Sequence, residues 1–171
     1  MSAVDTNEMR AAFEDVFDQA LVFHTFTDYM RDYDVFVYAT ADPRTGIQPE
    51  HLRYRFTHCV RADIRTAVSE ETWARSLDER LTSYDTGVDL DGYVWGVAWQ
   101  VLYPGFSLVE ESSEAAHWSA ALGIPFHHVE VRTNGHNFDL IFSDLRVDKV
   151  GPGVSPFAVP ESGPDFKVPL A

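Results

Sequence analysis

One aromatic-rich stretch near the start of the chain carries three residues that could do acid–base chemistry. His24, Asp28 and Asp32 follow one another at intervals of four, a spacing that gives them one face of a helix or, being even, one face of a strand. Nearby Tyr29 and Tyr33 could desolvate a carboxylate and raise its pKa. The pattern predicts, as one alternative, a small hydrolase or ligand-binding domain with a His/Asp pocket. The preferred interpretation is a solvated acidic face to which a histidine is tethered.

Other reactive residues are spaced unfavourably for catalysis or metal binding. His127 and His128 are adjacent on a predicted strand, so their side chains point to opposite faces and cannot share one ion. The single cysteine, Cys59, follows His58, which the alternation of its strand predicts to be a core histidine. The sequence has no Gly-x-Ser-x-Gly elbow, phosphate loop or dinucleotide-binding glycine pattern. We therefore predict no metal and no cofactor.

Charge is the strongest compositional signal. The 171 residues include 27 acidic and 13 basic side chains, for a formal net charge of −14. Residues 1–42 hold nine acids against two arginines, and residues 84–130 hold seven acids and no Lys or Arg. Such a surface repels nucleic acid and anionic membrane and attracts cationic proteins. We predict a basic protein partner, without nucleic acid or membrane binding; the alternative is that the charge serves solubility.

A row of aromatic residues on a predicted strand from Gly92 to Tyr103 could anchor such a partner, because Trp and Tyr are enriched at the centres of interfaces. For the row itself, the preferred interpretation is a sheet face that helices cover, and partner binding is the other interpretation. Acids before and after the row would form a rim around it. The predicted partner-binding residues are Asp85, Asp89, Asp91, Tyr93, Trp95, Trp99, Glu110, Glu111 and Glu114.

The clearest strand pattern runs from Leu52 to Thr66 with a period of two. Its apolar side is predicted to face the core. Its polar side displays four arginines, which we expect to pair with acids of the same chain rather than to bind phosphate. These are Arg53, Arg55, Arg61 and Arg65.

The best local prediction is a hairpin of strands 126–133 and 136–142 joined by Asn134-Gly135, a pair that suits a type I′ turn. Counting outward from the turn pairs Val131 with Phe138 and Val129 with Leu140, which puts four apolar side chains on one buried side. After Phe142 the apolar residues shift from even to odd positions, so a bulge is expected near residues 143–144.

The remaining signals predict helices from Thr6 to about Ala20, from near Ser69, and from Ser112 or Ser113 to a stop at Gly123. Strands are predicted over 21–27 and 34–38. The irregular order of helices and strands predicts an α+β fold with a mainly antiparallel sheet of about six strands and three helices. Residues 1–150 would form a single domain, and residues 151–171 an extended Pro-rich tail.

Three motifs carry a resemblance to a known family. They read Val22-Phe-His-Thr-Phe-Thr-Asp-Tyr-Met-Arg-Asp-Tyr33, Thr40-Ala-Asp-Pro-Arg-Thr-Gly46 and Asp89-Leu-Asp-Gly-Tyr-Val-Trp-Gly96. The chain resembles actinobacterial YxiG-like proteins over most of residues 20–150. The family has no established activity and transfers no functional residue. Its namesake is associated with a locus encoding secreted polymorphic toxins, so the resemblance implies an immunity role.

Together these signals predict a non-catalytic, acidic protein-binding domain, an immunity-type inhibitor of a basic toxin. The acidic amino terminus does not read as a secretory signal, and no apolar run approaches the ~20 residues of a membrane helix. A single cysteine is consistent with a reducing compartment. The expected location is the cytoplasm.

Overall fold

A computed structural model describes residues 5–27, 29–40, 43–70 and 99–157. Within these ranges the chain forms two α-helices, a short 3-10 helix and nine strands. The helices are α1 (Thr6–Glu14), the 3-10 turn Pro43–Thr45 and α2 (Ser113–Leu122). The strands are β1 (Ala20–Thr27), β2 (Asp32–Ala39), β3 (Glu50–Thr57), β4 (Arg61–Thr66), β5 (Gln100–Val101), β6 (Gly105–Leu108), β7 (His127–Arg132), β8 (His136–Phe142) and β9 (Asp144–Val150).

The strands build two antiparallel sheets. One has the order β5-β1-β2-β3-β9, and the other has the order β4-β8-β7-β6. The α+β class and the antiparallel pairing are confirmed, but the prediction of one sheet of about six strands is wrong. Three helices were predicted and the described residues contain two α-helices; the predicted helix near Ser69 lies mostly outside them.

The second sheet arises because the predicted long strand over 52–66 is broken at a corner. His58 has φ +47°, a left-handed conformation that reverses the alternation of a strand. His58 is therefore exposed and Cys59 is buried, the opposite of the predicted pattern. The alternation of the neighbouring strand changes at Ser143, beside this corner. The Ser143 amide donates to the Thr57 carbonyl at 2.9 Å. Both strands cross from one sheet to the other at this point.

The core lies between the two sheets. Its largest fully buried side chains come from both inner faces, among them Tyr54, Phe56 and Phe142. Helix α1 adds Phe13, whose ring stacks on Phe106 at a centroid distance of 4.9 Å. The Tyr54 hydroxyl donates to a carbonyl of α1 at 2.6 Å, so this buried polar group has a hydrogen-bond partner.

The hairpin register is confirmed, because Val129 pairs with Leu140 and Val131 with Phe138. The turn type is not the predicted one, since neither Asn134 nor Gly135 has a positive φ. Glycine at position 135 instead leaves room for the Gln100 side chain. A Cβ there would lie 2.6 Å from that side chain, which would then have to move.

The two helices take different positions. Helix α1 begins at Thr6 behind the N-cap Asp5 and ends at Glu14, well before the predicted end near residue 20. Helix α2 begins behind the N-cap Ser112 and ends at left-handed Gly123, as predicted. It packs on the outer face of the four-stranded sheet against Phe126 and Ile141. None of the helices among the described residues is long and apolar enough to cross a membrane.

Candidate functional site

The structure separates two of the three residues predicted to form a His/Asp pocket. His24 pairs with Val35, and Asp32 pairs with Thr27, across the β1–β2 ladder. Because positions 32 and 35 differ in parity, His24 and Asp32 point to opposite faces of the sheet. The buried Asp32 carboxylate instead accepts the His58 amide at 3.0 Å and so holds the corner together. Asp28 lies outside the described residues.

His24 belongs to a different group, the inner histidine cluster of His24, Tyr33, Gln100 and His136. The Tyr33 hydroxyl lies 2.6 Å from His24 Nδ1, and His24 Nε2 lies 3.0 Å from His136 Nδ1. Gln100 Nε2 lies 3.1 Å from the same His136 nitrogen. The His24 ring also stacks on Phe138 at 4.6 Å. One hydroxyl, two rings and one amide thus form a continuous chain at the edge of the core.

Burial sets the charge state of the inner histidine cluster. It lowers the pKa of His24 to about 4, with a smaller contribution from the charge of His136. Burial lowers the pKa of His136 as well and raises the pKa of Tyr33. All three groups are therefore neutral at pH 7. Among the described residues, no three His, Cys, Asp or Glu side chains are placed to hold a metal ion.

The predicted partner-binding residues are only partly described. Glu110 is exposed and pairs with Arg10 at 2.8 Å, and Glu114 pairs with Arg61. Glu111 is exposed, and Trp99 is about half exposed. The others lie outside the described residues: Asp85, Asp89, Asp91, Tyr93 and Trp95.

Trp99 belongs to an exposed aromatic patch that the sequence pattern did not delimit. Phe17, Trp99 and Tyr103 are 49%, 48% and 62% exposed. The Phe17 and Tyr103 rings contact each other at a centroid distance of 5.6 Å. Two backbone hydrogen bonds of 2.9 Å join residues 18–19 to Leu102, which fixes the two chain segments side by side. Phe17 was missed because it follows the predicted helix periodicity, whereas α1 has already ended.

Acids surround the aromatic patch. Asp18 lines a cavity of about 260 Å³ together with Trp99 and Tyr38. Glu14 lines a second cavity of about 220 Å³ together with Phe17. Glu14, Asp15 and Asp18, here called the acidic rim, are all exposed, and residues 11–30 contain no Lys or Arg. The patch therefore offers aromatic faces and carboxylates to a cationic side chain.

A third group, the serine–histidine–aspartate cluster, lies on the outer face of the four-stranded sheet. Ser112 Oγ is 3.0 Å from His128 Nδ1, and His128 Nε2 is 3.4 Å from Asp139 Oδ1. Ser112 and His128 line a cavity of about 220 Å³ beside α2. Asp139 is buried and also accepts Arg65 at 3.0 Å.

Sequence reasoning missed the serine–histidine–aspartate cluster, although part of it was within reach. The confirmed hairpin register pairs His128 with Ile141 and Glu130 with Asp139, which makes His128 and Asp139 diagonal neighbours on one face. Ser112 could not be found in this way, because its position depends on how α2 packs against the sheet.

The four arginines predicted to pair within the chain do so. Arg55 forms two 2.8 Å hydrogen bonds to the buried Asp34 carboxylate. The other pairs are Arg53 with Asp148 at 2.8 Å, Arg61 with Glu114, and Arg65 with Asp139 at 3.0 Å.

These features define a two-sheet, antiparallel α+β domain with an exposed aromatic patch and two internal histidine-centred clusters. The model of one family, described as YxiG-like protein, matches residues 5–160. The chain therefore belongs to the YxiG-like family. No curated protein matches it.

Proposed function

We propose that this protein is a binding domain for a basic protein, and that the aromatic patch with its acidic rim is the centre of the binding surface. The observation that carries the proposal is the exposure of Phe17, Trp99 and Tyr103 beside three exposed acids. Single exposed aromatics are ordinary on protein surfaces, but three of them on two chain segments that hydrogen bonds hold side by side, with carboxylates in the flanking cavities, are typical of an interaction site.

The chemistry of the patch favours a partner rich in Lys and Arg. A guanidinium or ammonium group over Trp99 or Tyr103 would gain cation–π energy, and the carboxylates of Asp18 and Glu14 lie within the flanking cavities to accept its hydrogen bonds. The net charge of −14 would accelerate the encounter with a cationic protein. The ion pairs of Arg53, Arg55, Arg61 and Arg65 within the chain support this interpretation, because a paired arginine repels a cationic partner less than a free one.

We further propose that the basic partner is a toxin, and that the domain acts as an immunity-type inhibitor in the cytoplasm. Enzymes that bind phosphate backbones present Lys and Arg, and an acidic surface with aromatic anchors would cover such a face. The resemblance to a family whose namesake is associated with a toxin locus supports this finer assignment.

The test is binding between the purified chain and the purified products of adjacent genes, measured by calorimetry at 50 and 300 mM salt. A basic product should bind at low salt and weaken at high salt. Trp99→Ala should reduce its affinity by tenfold or more, because truncating an interface anchor costs ~2 kcal/mol or more.

Phe157→Ala is the matched control, since Phe157 is also an exposed aromatic residue, outside the patch. It should leave the affinity unchanged. If no basic product binds, or if both substitutions weaken binding equally, the proposed function is wrong. Binding by a product with no toxic activity would keep the binding function and remove the immunity role.

A further inference from the structure

We propose that Ser112, His128 and Asp139 form a catalytic site for acyl transfer, which hydrolyses esters of short-chain carboxylic acids. This activity goes beyond the proposed binding function and uses none of the residues of the aromatic patch. It rests on three side chains at hydrogen-bonding distances beside a cavity, which is the geometry of a nucleophile, a base and the group that orients the base.

The hydrogen bonds assign the protons in the way that nucleophilic attack requires. The Ala115 amide donates to Ser112 Oγ at 3.2 Å, which uses one lone pair of the hydroxyl. The hydroxyl hydrogen remains to be donated to His128 Nδ1 at 3.0 Å. His128 Nε2 then carries the ring hydrogen and faces Asp139 Oδ1 at 3.4 Å. His128 is thus held as the tautomer that can accept the serine proton.

Two arginines hold Asp139 in place. Arg65, from β4, contacts its second carboxylate oxygen at 3.0 Å, and Arg132, from β7, approaches the same oxygen at 3.6 Å. Because both arginines contact Oδ2, they also keep Oδ1, the oxygen that faces His128, in position. Asp139 acts through His128, which makes it a positioning residue: Oδ1 lies 3.4 Å from His128 Nε2 and orients the ring.

The cavity beside Ser112 fits a small acyl group. Its volume of about 220 Å³ is below the ~300–1,000 Å³ of sites for drug-sized ligands. Apolar side chains line part of it, including Leu108, Ala115 and Phe126. The amides of Ser113 and Glu114 begin α2 directly after the nucleophile, and helix geometry leaves first-turn amides without intrahelical acceptors. They are the donors available to an oxyanion.

The reaction follows from this arrangement. Ser112 Oγ attacks the ester carbonyl carbon while its proton passes to His128 Nδ1, and the carbonyl electron pair moves to oxygen. The ester C–O bond then breaks, and His128 returns the proton to the leaving alkoxide, giving the alcohol and acyl-Ser112. A water molecule attacks the acyl group and gives a proton to His128, which protonates Ser112 as the carboxylic acid is released.

The experiment uses two probes on the full chain, an alkyl fluorophosphonate and p-nitrophenyl butyrate. The fluorophosphonate should label Ser112, located by peptide mass spectrometry, and butyrate hydrolysis should stop in the labelled protein. Ser112→Asn should abolish both, because it removes the nucleophile while keeping a side-chain oxygen that can cap α2. Ser107→Ala, at an exposed serine on β6 that does not line this cavity, should change neither.

His128→Gln should slow labelling by about 100-fold or more, the usual contribution of a general base. Asp139→Asn should lower kcat for the butyrate while its KM stays near the wild-type value, because the imidazole loses the carboxylate that orients it and the acyl cavity is untouched. A merely structural role for Asp139 would lower the amount of folded protein and leave kcat of the folded fraction unchanged. Neighbouring charges that face the cavity or the ring are kept intact in every variant: Arg10, Arg61, Arg65, Glu110, Glu114, Glu130 and Arg132.

The proposal is overturned if Ser112 is not labelled, if Ser112→Asn hydrolyses the butyrate at the wild-type rate, or if His128→Gln labels as fast as wild type. Circular dichroism of each variant establishes that it is folded. None of these outcomes affects binding at the aromatic patch, so the two proposals fail separately.

Discussion

The inner histidine cluster and the serine–histidine–aspartate cluster lie on opposite faces of the same hairpin. Both centre on a histidine that contacts a hydroxyl, at 2.6 Å from Tyr33 in one case and 3.0 Å from Ser112 in the other. They differ in what lies beyond the ring. His24 faces a second imidazole and stacks on Phe138, whereas His128 faces a carboxylate and lines a cavity.

This difference gives the two clusters different roles. Burial lowers the pKa of His24 to about 4, so His24 is a poor proton acceptor at pH 7 and serves to satisfy buried polar groups. A histidine beside a buried carboxylate can accept a proton and hold the resulting charge. Disturbing the inner cluster should therefore cost mainly stability, and disturbing the outer one should cost mainly activity, with a smaller loss of stability.

The largest expected effect is the dependence of stability on pH through His24. Its pKa is about 4 in the folded protein against 6.5 in the unfolded chain, so the unfolded chain binds more protons between these values. Stability contributed by neutral His24 is present above pH 6.5 and is lost as the pH falls toward 4. A shift of this size corresponds to roughly 3 kcal/mol.

Urea unfolding of wild type and His24→Gln at pH 7, 5.5 and 4.5 measures this contribution. The glutamine variant should lose stability less steeply than wild type over that interval, because it has no imidazole to protonate. Phe157→Ala is the control, because it removes an exposed side chain that does not titrate, and it should keep the wild-type steepness. Equal slopes for His24→Gln and wild type would contradict the assignment of His24 as a buried neutral group.

The next effect concerns the hydroxyl in the inner cluster. Tyr33→Phe leaves His24 Nδ1 without its 2.6 Å partner, and an unsatisfied buried acceptor costs ~1–3 kcal/mol. Tyr38→Phe, near the end of the same strand, should cost less, because its ring is only partly buried. Chemical unfolding at pH 7 measures both. A cost for Tyr33→Phe no greater than that for Tyr38→Phe would mean that the hydrogen bond contributes nothing.

Much of this arrangement was predictable from local patterns. Alternation and the two-residue turn gave the β7–β8 register, and capping signals gave both ends of α2. The two-sheet architecture was not predictable, because it depends on His58 adopting a positive φ, which is uncommon for any residue other than glycine. The inner histidine cluster was equally hidden, since it joins His24 and His136 across 112 positions of sequence.

Gly135 ties the inner cluster to the hairpin turn and predicts a smaller loss. A methyl group at this position would displace the Gln100 side chain, which accepts the His136 amide at 2.9 Å. Gly135→Ala should therefore cost ~1–2 kcal/mol, the value of one or two hydrogen bonds. Gly151→Ala is the matched control, because its Cβ would meet no atom within 4 Å. Equal melting temperatures for the two variants would show that Gln100 moves aside without loss.

The smallest effect is expected in the outer cluster, where Ser112 both caps α2 and faces His128. Ser112→Ala removes the acceptor of the Ala115 amide and should cost about 1 kcal/mol, as loss of an N-cap usually does. Ser112→Asn restores a capping oxygen and should lie within ~0.5 kcal/mol of wild type. Thermal unfolding compares the three proteins. If asparagine costs as much as alanine, the bond to His128 rather than the cap stabilises this region, and the outer cluster becomes as structural as the inner one.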